Sequence, residues 1–295
     1  MVNQIIINSI YTDVTESFSN SPFLHETAIG MFTKLKNYEQ NGEISLLAYS
    51  FVQLNNLEHR IEHSTIAKLG SANVLAWSAY YVYDSIVDDS KMQDMLGFAN
   101  ICMRKSLILF KEVAEHLKVD TNLIERYFYS VDEAFMLEPY NAVADWNLDY
   151  CAQRSIGHLL GPTILSEKIA KTKDEQERLL KPYFDYIILK QLLDDIRDFN
   201  EDLESGRSSY ILERCKATNK EYNNDTLRHT FLVNETSHII KEVNTKVESI
   251  QQYTESAVFN KITQSLINSS RAVCDTLRDR RKEYIRLISS SKNTA

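Results

Sequence analysis

Two short acidic segments carry the side chains in this chain that could do chemistry. In the later segment, Asp194, Asp198 and Asp202 follow one another at intervals of four residues. On a helix that spacing places all three carboxylates on one face. Negative charges so close together repel one another unless a cation lies among them, and hard carboxylate oxygens are the ligands that Mg²⁺ prefers. The spacing therefore predicts a magnesium site, supported by Gln191 and Asp195.

The earlier acidic segment ends an apolar and aromatic stretch. Asp84 and Asp88 are again four residues apart, and Asp89 follows directly. Aromatic side chains precede them on the same helical stripe: Trp77 with Tyr80 or Tyr81. Aromatic faces stabilise a neighbouring cation by roughly 0.5 to 2 kcal/mol each. The pattern is typical of a metal-bound diphosphate next to an aromatic cavity, in which a carbocation forms and is shielded from water.

Each acidic segment taken alone has a simpler interpretation, which is a solvated helix end or an acidic first turn of a helix. One such cluster would favour that interpretation. Two clusters, each on an apolar helix of the same chain, favour a metal site instead.

Long helices are needed to position these segments. Apolar residues recur at intervals of three and four in successive runs, which predict eight or nine helices. Only seven Gly and four Pro occur in 295 residues, too few for the many turns of an all-β fold. Gly157, Gly161 and Pro162 predict a broken or kinked helix. We expect one all-α domain over residues 1–295, with frayed ends at 1–20 and 289–295.

The charge and the cysteines argue against several classes of protein. The formal net charge of −8 argues against a nucleic-acid partner, which would require a basic face. No apolar run approaches the length of a transmembrane segment, and no signal peptide is evident. The four cysteines are widely separated, which fits neither a zinc cage nor a disulfide framework. A reducing, cytoplasmic compartment is the simplest expectation.

The later acidic segment resembles motifs of the class I isoprenoid synthases. Its first part is similar to the Q-x-x-D-D-x-x-D motif of trans-isoprenyl diphosphate synthases, through Gln191, Asp194, Asp195 and Asp198. The Gly-Arg pair that ends in Arg207 resembles the basic pair that follows the motif in that family.

Two related families share other parts of the pattern. Asp194, Asp198 and Asp202 resemble the three ligand positions of the N-D-x-x-S-x-x-x-E triad of terpene cyclases. The stretch that ends in Arg207 is similar to the R-D-x-x-E-D-x-x-x-G-R string of squalene and phytoene synthases. The earlier segment resembles a D-D-x-x-D motif with Ser85 in its second place.

These resemblances imply a fold, a substrate and a set of roles. The fold would be the helical bundle of the class I isoprenoid synthases, with a central active-site cavity and a possible homodimeric assembly. Three Mg²⁺ ions would bind to the two acidic segments and to a prenyl diphosphate. Arg154 and Arg207 would contact the diphosphate. Tyr80, four residues before the acidic segment, would narrow the cavity and favour a shorter prenyl chain.

Departures from the motifs bear on which reaction is expected. The chain lacks an early G-K-x-x-R-P segment and has no arginine pair after its first motif, and both would be expected to hold isopentenyl diphosphate. Trp77 stands where those enzymes often place a histidine. One-substrate chemistry, that of a terpene synthase, is therefore favoured. Two alternatives stay open: a prenyltransferase of the same fold, and a non-catalytic helical partner of an active synthase.

Overall fold

The structure, a computed structural model, describes residues 2–39, 41–137, 146–219, 221–253 and 255–292. Every regular element in those ranges is a helix, which confirms the predicted all-α class. None of these helices is both long enough and apolar enough to span a membrane. The α-helices in these ranges are α1 (Val2–Glu16), α2 (Pro22–Tyr38), α3 (Leu47–Leu54), α4 (His63–Asp89), α5 (Leu96–Leu117), α6 (Asn122–Leu137), α7 (Leu148–Ser155), α8 (Leu160–Ile169), α9 (Lys173–Ser205), α10 (Tyr210–Ala217), α11 (Asn224–His229), α12 (Thr236–Gln251) and α13 (Ala257–Lys292).

Short-range signals in the sequence explain where several helices begin. The Ser21 side chain accepts a hydrogen bond from the backbone N–H of Leu24 at the start of α2. Pro22 then occupies the first helical position, where its missing N–H leaves no backbone bond unmade. Asn223 caps α11 in the same way, accepting from the N–H of Thr226 at 2.8 Å. Side-chain caps of this kind satisfy N–H groups that the helix itself cannot.

The chain divides into two compact units, and the first has α4 at its centre. Unit 1 comprises three stretches of chain: Met1–Tyr129, Ile156–Lys181 and Tyr253–Ile262. Within it α4 packs most extensively against α5, and also against α1. Small buried residues such as Ala72 and Ala76 line α4 and permit this close approach. Ser106 of α5 donates a hydrogen bond to the Ala72 carbonyl at 2.8 Å, which fixes the pairing of the two helices.

Unit 1 also contains a buried carboxylate, Glu39, which is only 3% exposed. The Tyr11 hydroxyl and the Ser45 backbone N–H each donate to one of its oxygens at 3.0 Å, and the Ser45 hydroxyl donates to the other. Burial is the main cause that raises the pKa of Glu39 to about 7, and the nearby Glu43 carboxylate adds to it. These bonds tie α1 to the end of α2 and to the turn before α3.

Unit 2 holds a buried carboxylate by a different arrangement. It comprises Ser130–Ser155, Pro182–Gln252 and Thr263–Ala295. Asp185 of α9 is 3% exposed and pairs with Lys246 of α12, whose Nζ lies 2.6 Å from the carboxylate. Ser249 donates to the other carboxylate oxygen at 2.5 Å. Nearby helices pack through Phe199 and Phe231, whose rings stack with centroids 4.0 Å apart. Phe231 lies in a π-helical segment, Thr230–Glu235.

Helices cover most of the described residues in the two end segments that we expected to be frayed. Helix α1 covers most of 1–20, and it buries Ile7, Ile10 and Val14 at intervals of three and four. That stripe packs on α4 and α2, so the segment is tied into the core of unit 1. At the other end α13 continues to Lys292, beyond residue 289.

The predicted break in the sixth apolar run is confirmed. Helix α7 ends at Ser155, a 3₁₀ segment covers Ile156–Leu159, and α8 starts at Leu160. Pro162 falls in the first turn of α8, where no intrahelical partner for its N–H is required. A Cβ at Gly161 would lie only 3.2 Å from the Ala48 side chain, so glycine permits the close contact between α8 and α3.

Candidate functional site

The earlier acidic segment forms the last turns of α4. This helix ends because Ser90 adopts a left-handed conformation with φ of 51°, and the N–H groups of Ser90 and Lys91 return to carbonyls of the preceding turn. Asp84 is exposed. Asp88 and Asp89 belong to the final turn of the helix, and their side chains lie outside the described residues.

An aromatic stack precedes this acidic segment on α4. The rings of Trp77 and Tyr81 lie nearly parallel, 9° apart in orientation, with centroids separated by 5.3 Å. Tyr38 of α2 lies against Trp77 at 5.9 Å. The Lys34 ammonium donates a hydrogen bond to the Tyr81 hydroxyl at 3.0 Å and lies 5.3 Å from the centroid of its ring. This aromatic surface therefore already has a cation from α2 beside it.

The neighbouring residues Tyr80, Tyr83 and Ser85 make contacts of other kinds. Tyr80 is half-buried and meets Tyr83 edge-on at 6.0 Å. The Tyr83 hydroxyl donates to Asn100 Oδ1 of α5 at 2.8 Å. Ser85, which replaces the second aspartate of the motif, donates its hydroxyl proton to the carbonyl of Tyr81 at 2.9 Å. That proton is thus engaged within the helix, as is common for helical serines.

The later acidic segment lies on α9 in unit 2, and its three carboxylates differ in environment. Asp194 is half-buried, Asp198 is exposed and the Asp202 side chain is only 14% exposed. Arg197, one turn from Asp194, donates to its Oδ1 at 3.1 Å. The same guanidinium also donates to the Ser269 hydroxyl of α13. The predicted acidic face of α9 is therefore connected to a second helix through an arginine.

Burial outweighs the nearby cations in setting the pKa values of Asp194 and Asp198. Desolvation raises the pKa of Asp194 above its usual range, and the Asp198 carboxylate raises it further, while Lys190 and Arg197 lower it. Partial desolvation followed by the Glu201 carboxylate raises the pKa of Asp198, again against nearby arginines. In both residues the effects that disfavour the ionised form are the larger ones. A cation bound at this face would relieve them.

The turn after α9 brings Arg207 back to the helix. Gly206 has φ of 73°, a left-handed conformation that glycine adopts without strain and that ends α9. The Arg207 Nη2 then lies 2.5 Å from Glu201 Oε1, and its Nε lies 4.0 Å from Asp202 Oδ1. The guanidinium predicted to contact a diphosphate therefore lies beside the predicted ligand Asp202.

Asp195 makes a contact that the sequence did not predict. It is 5% exposed, and its Oδ2 accepts a hydrogen bond from the backbone N–H of Ile211 at 3.4 Å. Ile211 lies in the first turn of α10, where N–H groups have no intrahelical partner. Asp195 thus anchors the start of α10. Its role as a metal ligand stays a prediction.

Gln191 links α9 to α7. Its Nε2 donates to the Ser155 hydroxyl at 2.8 Å, which brings the last turn of α7 alongside α9. Arg154 directly precedes Ser155 in that turn, and its side chain lies outside the described residues. The backbone of Arg154 therefore belongs to the turn of α7 that Gln191 contacts.

Sequence reasoning placed Arg197 in a motif without giving it a role of its own, and it missed Lys34 and Arg228 as part of these surroundings. Arg197 was detectable, because an arginine three residues after an aspartate on a helix lies next to it. Lys34 and Arg228 gave no such signal, since they reach their partners from other helices. Arg228 of α11 pairs with Glu204 of α9 at 2.9 Å, so arginines follow the acidic face along its final turns.

The donor atoms that these segments offer are carboxylate oxygens, which suit Mg²⁺ in their chemistry. Within the part of the chain that the structure describes, no three His, Cys, Asp or Glu side chains form a group that could hold a metal ion. Neither a family model, nor a curated protein, nor a solved structure matches the chain. The site is interpreted from its own residues.

Proposed function

We propose that the chain is a magnesium-dependent terpene synthase of the class I isoprenoid synthase type, which ionises an allylic prenyl diphosphate and releases pyrophosphate. The observation that carries this proposal is the acidic face of α9. Asp194, Asp198 and Asp202 recur there at one-turn intervals, and Arg207 is folded back beside Asp202. Carboxylates and an arginine together are what a metal diphosphate requires.

The proposed roles follow from the chemistry of the side chains. Mg²⁺ bound to the acidic segments, three ions by resemblance to the family, would neutralise the charge on the pyrophosphate leaving group. The proposed ligands are Asp84, Asp88 and Asp89 of α4 with Asp194, Asp195, Asp198 and Asp202 of α9. Gln191 orients the ligand face, as its bond to α7 suggests. Arg154 and Arg207 hold the diphosphate oxygens.

The aromatic residues of α4 are proposed to control the carbocation that remains. Trp77 and Tyr81 present stacked rings, and Tyr80 stands half-buried on an adjoining face. Apolar aromatic surface excludes water, which would otherwise quench the cation as an alcohol. The central cavity, the cytoplasmic location and a homodimeric assembly belong to the same proposal.

Product analysis tests the proposal directly. Purified protein is incubated with Mg²⁺ and geranyl, farnesyl or geranylgeranyl diphosphate, each with and without isopentenyl diphosphate, and extracts are examined by mass spectrometry. A hydrocarbon or alcohol formed from one diphosphate alone, and lost on chelation of Mg²⁺, is the expected result. Product only with a second diphosphate would point to a prenyltransferase instead. No product and no pyrophosphate release with any substrate would contradict an enzymatic role and favour a non-catalytic partner.

A further inference from the structure

Unit 1 contains a cavity of about 810 Å³ that the proposed chemistry does not use. It lies between the start of α2, the end of α4 and the start of α5. Its walls are mainly apolar, with Leu24, Phe98, Ile101 and two methionines, Met95 and Met103, among the lining residues. Small-molecule sites in proteins typically measure roughly 300 to 1,000 Å³ and are lined in this way.

The two charged residues of the lining have opposite signs. Asp94 and Arg104 are both exposed and both border the cavity. Within the described part of the chain, neither side chain makes a hydrogen bond or an ion pair. The two charges cancel, so the lining carries no net charge, and a ligand charge placed against its apolar walls would lose hydration without a buried partner. The lining therefore favours an uncharged occupant.

One hydrogen-bond donor of the lining is available to that occupant. Asn100 uses its Oδ1 to accept from the Tyr83 hydroxyl, and its Nδ2 makes no hydrogen bond within the described part of the chain. An amide N–H that borders an apolar cavity pairs with a hydroxyl or carbonyl oxygen of a ligand. The arrangement suits a molecule that is apolar along its length and carries one oxygen.

Two further features indicate that the cavity has room and lacks a cover. A Cβ atom built on Gly97, which lines the cavity, would have no heavy atom within 4 Å. Phe23, at the other wall, leaves 77% of its surface exposed. Large apolar side chains exposed at the edge of an apolar cavity are typical of ligand sites. The flexible methionines of the wall can adapt to a chain-like ligand.

We propose that this cavity binds an elongated, uncharged apolar molecule with a terminal hydroxyl, such as an isoprenoid or long-chain alcohol. The apolar chain lies along the wall formed by α2 and α5, and the hydroxyl oxygen accepts from Asn100 Nδ2. Binding needs neither Mg²⁺ nor a diphosphate. It therefore stands or falls separately from the terpene synthase proposal.

The chain offers a matched pair of variants for a test. Gly97→Leu adds a side chain at the lining of the cavity. Gly30→Leu adds the same side chain on α2, where a Cβ also meets no heavy atom within 4 Å but the residue lies outside the lining. Both glycines are helical, so neither substitution introduces backbone strain, and each gains helix propensity. Loss of binding in the first variant alone therefore reports on the cavity and not on folding.

Farnesol is titrated into a solution of the full chain that contains a chelator of Mg²⁺. The readout is the loss of fluorescence as farnesol displaces the uncharged fluorophore phenyl-naphthylamine. We expect saturable displacement for the wild type and Gly30→Leu, and affinity weaker by roughly tenfold or more for Gly97→Leu, because the added side chain would occupy space that the ligand needs. Equal affinity in the two variants would overturn the assignment. So would the absence of displacement in the wild type below the solubility limit of farnesol.

A second measurement tests the oxygen contact and the preference for an uncharged head. Asn100→Ala should weaken farnesol binding by roughly two- to tenfold, the contribution of one hydrogen bond, and leave the hydrocarbon farnesene unaffected. Equal losses for farnesol and farnesene would contradict the hydrogen bond. Tighter binding of a fatty acid than of the alcohol of equal length would contradict the uncharged ligand.

Discussion

The two units hold their buried carboxylates in contrasting ways. In unit 1, Glu39 receives hydrogen bonds from a tyrosine, a serine and a backbone amide, all of them neutral donors. In unit 2, Asp185 is paired with the charged Lys246. Burial raises the pKa of Glu39 although its neutral donors lower it, whereas the Lys246 ammonium neutralises the Asp185 charge directly. Unit 1 therefore contains a buried carboxyl group with a pKa of about 7, and unit 2 contains a buried ion pair.

The two acidic segments proposed to bind Mg²⁺ also have different surroundings. On α9 of unit 2, Arg197 and Arg207 lie at Asp194 and Asp202. On α4 of unit 1, the exposed Asp84 follows an aromatic stack, and the cation beside that stack, Lys34, is bonded to Tyr81. A metal at α9 must compete with arginines that hold the carboxylates in place. The arginines therefore hold the α9 carboxylates in place before any metal binds.

The largest effect expected is loss of turnover when a proposed ligand is removed from either segment. Asp198→Asn and Asp84→Asn should each lower kcat by roughly a thousandfold or more, because a lost metal ligand forfeits several kcal/mol of stabilisation of the leaving group. Pyrophosphate release and circular dichroism measure activity and helicity.

Asp174→Asn, in the exposed first turn of α9, provides the control and should keep full activity. An undiminished rate in Asp198→Asn or Asp84→Asn would remove the metal assignment from that segment. A loss in only one of the two would show that the segments differ in function, not merely in their surroundings.

Breaking the ion pair of unit 2 should have the next largest effect. Lys246→Met leaves the Asp185 carboxylate buried with its serine donor but removes the Lys246 ammonium. We expect the free energy of unfolding to fall by roughly 3 to 5 kcal/mol, which is typical when one partner of a buried pair is removed. Chemical denaturation measures it. Lys241→Met, at an exposed position of the same helix, should change the free energy of unfolding little. Equal losses in the two variants would mean that the Asp185–Lys246 pair does not add to stability beyond the effect of removing any lysine of this helix.

Much of this fold was predictable from periodicity, and much of the site was not. The all-α class, the break after α7 and the common face of Asp194, Asp198 and Asp202 follow from spacing along one chain segment. Helix α10 was missed because eight residues are too few for a clear period. The Asp195 bond to Ile211 was missed for a related reason: it joins two elements, and no spacing in the sequence encodes it.

The burial of Glu39 predicts a smaller effect that depends on pH. Its folded pKa, about 7, lies above its ordinary value of 4.5. Such a group contributes stability that is fully present below pH 4.5 and is lost as the pH rises through 7. We expect the free energy of unfolding of the wild type to fall by roughly 2 to 3 kcal/mol across that window, relative to Glu39→Gln.

Denaturation at a series of pH values measures the difference between the two proteins. Tyr11 and Glu43 are among the residues that face Glu39. Burial and the carboxylates of Glu39 and Glu43 keep the pKa of Tyr11 well above its usual range, so the tyrosine stays protonated throughout. Glu26→Gln, exposed on α2, should track the wild type at every pH. Parallel curves for the wild type and Glu39→Gln would show that the buried carboxylate does not titrate in this range.

The smallest effect expected concerns the arginines that border α9. Arg207→Gln should raise KM for the prenyl diphosphate by roughly tenfold with a lesser change in kcat, since a charge-assisted contact to phosphate is worth about 1.5 to 3 kcal/mol and part of it is offset by the bond to Glu201 that must break. Arg228→Gln is the matched control, because Arg228 also pairs with a glutamate of α9 but has no proposed substrate contact. If both substitutions raise KM equally, the two arginines act only through their positive charge near the acidic face and not through a direct contact with the substrate. If only Arg207 matters, the guanidinium exchanges a carboxylate for the substrate, and the arginines of unit 2 are part of the binding site.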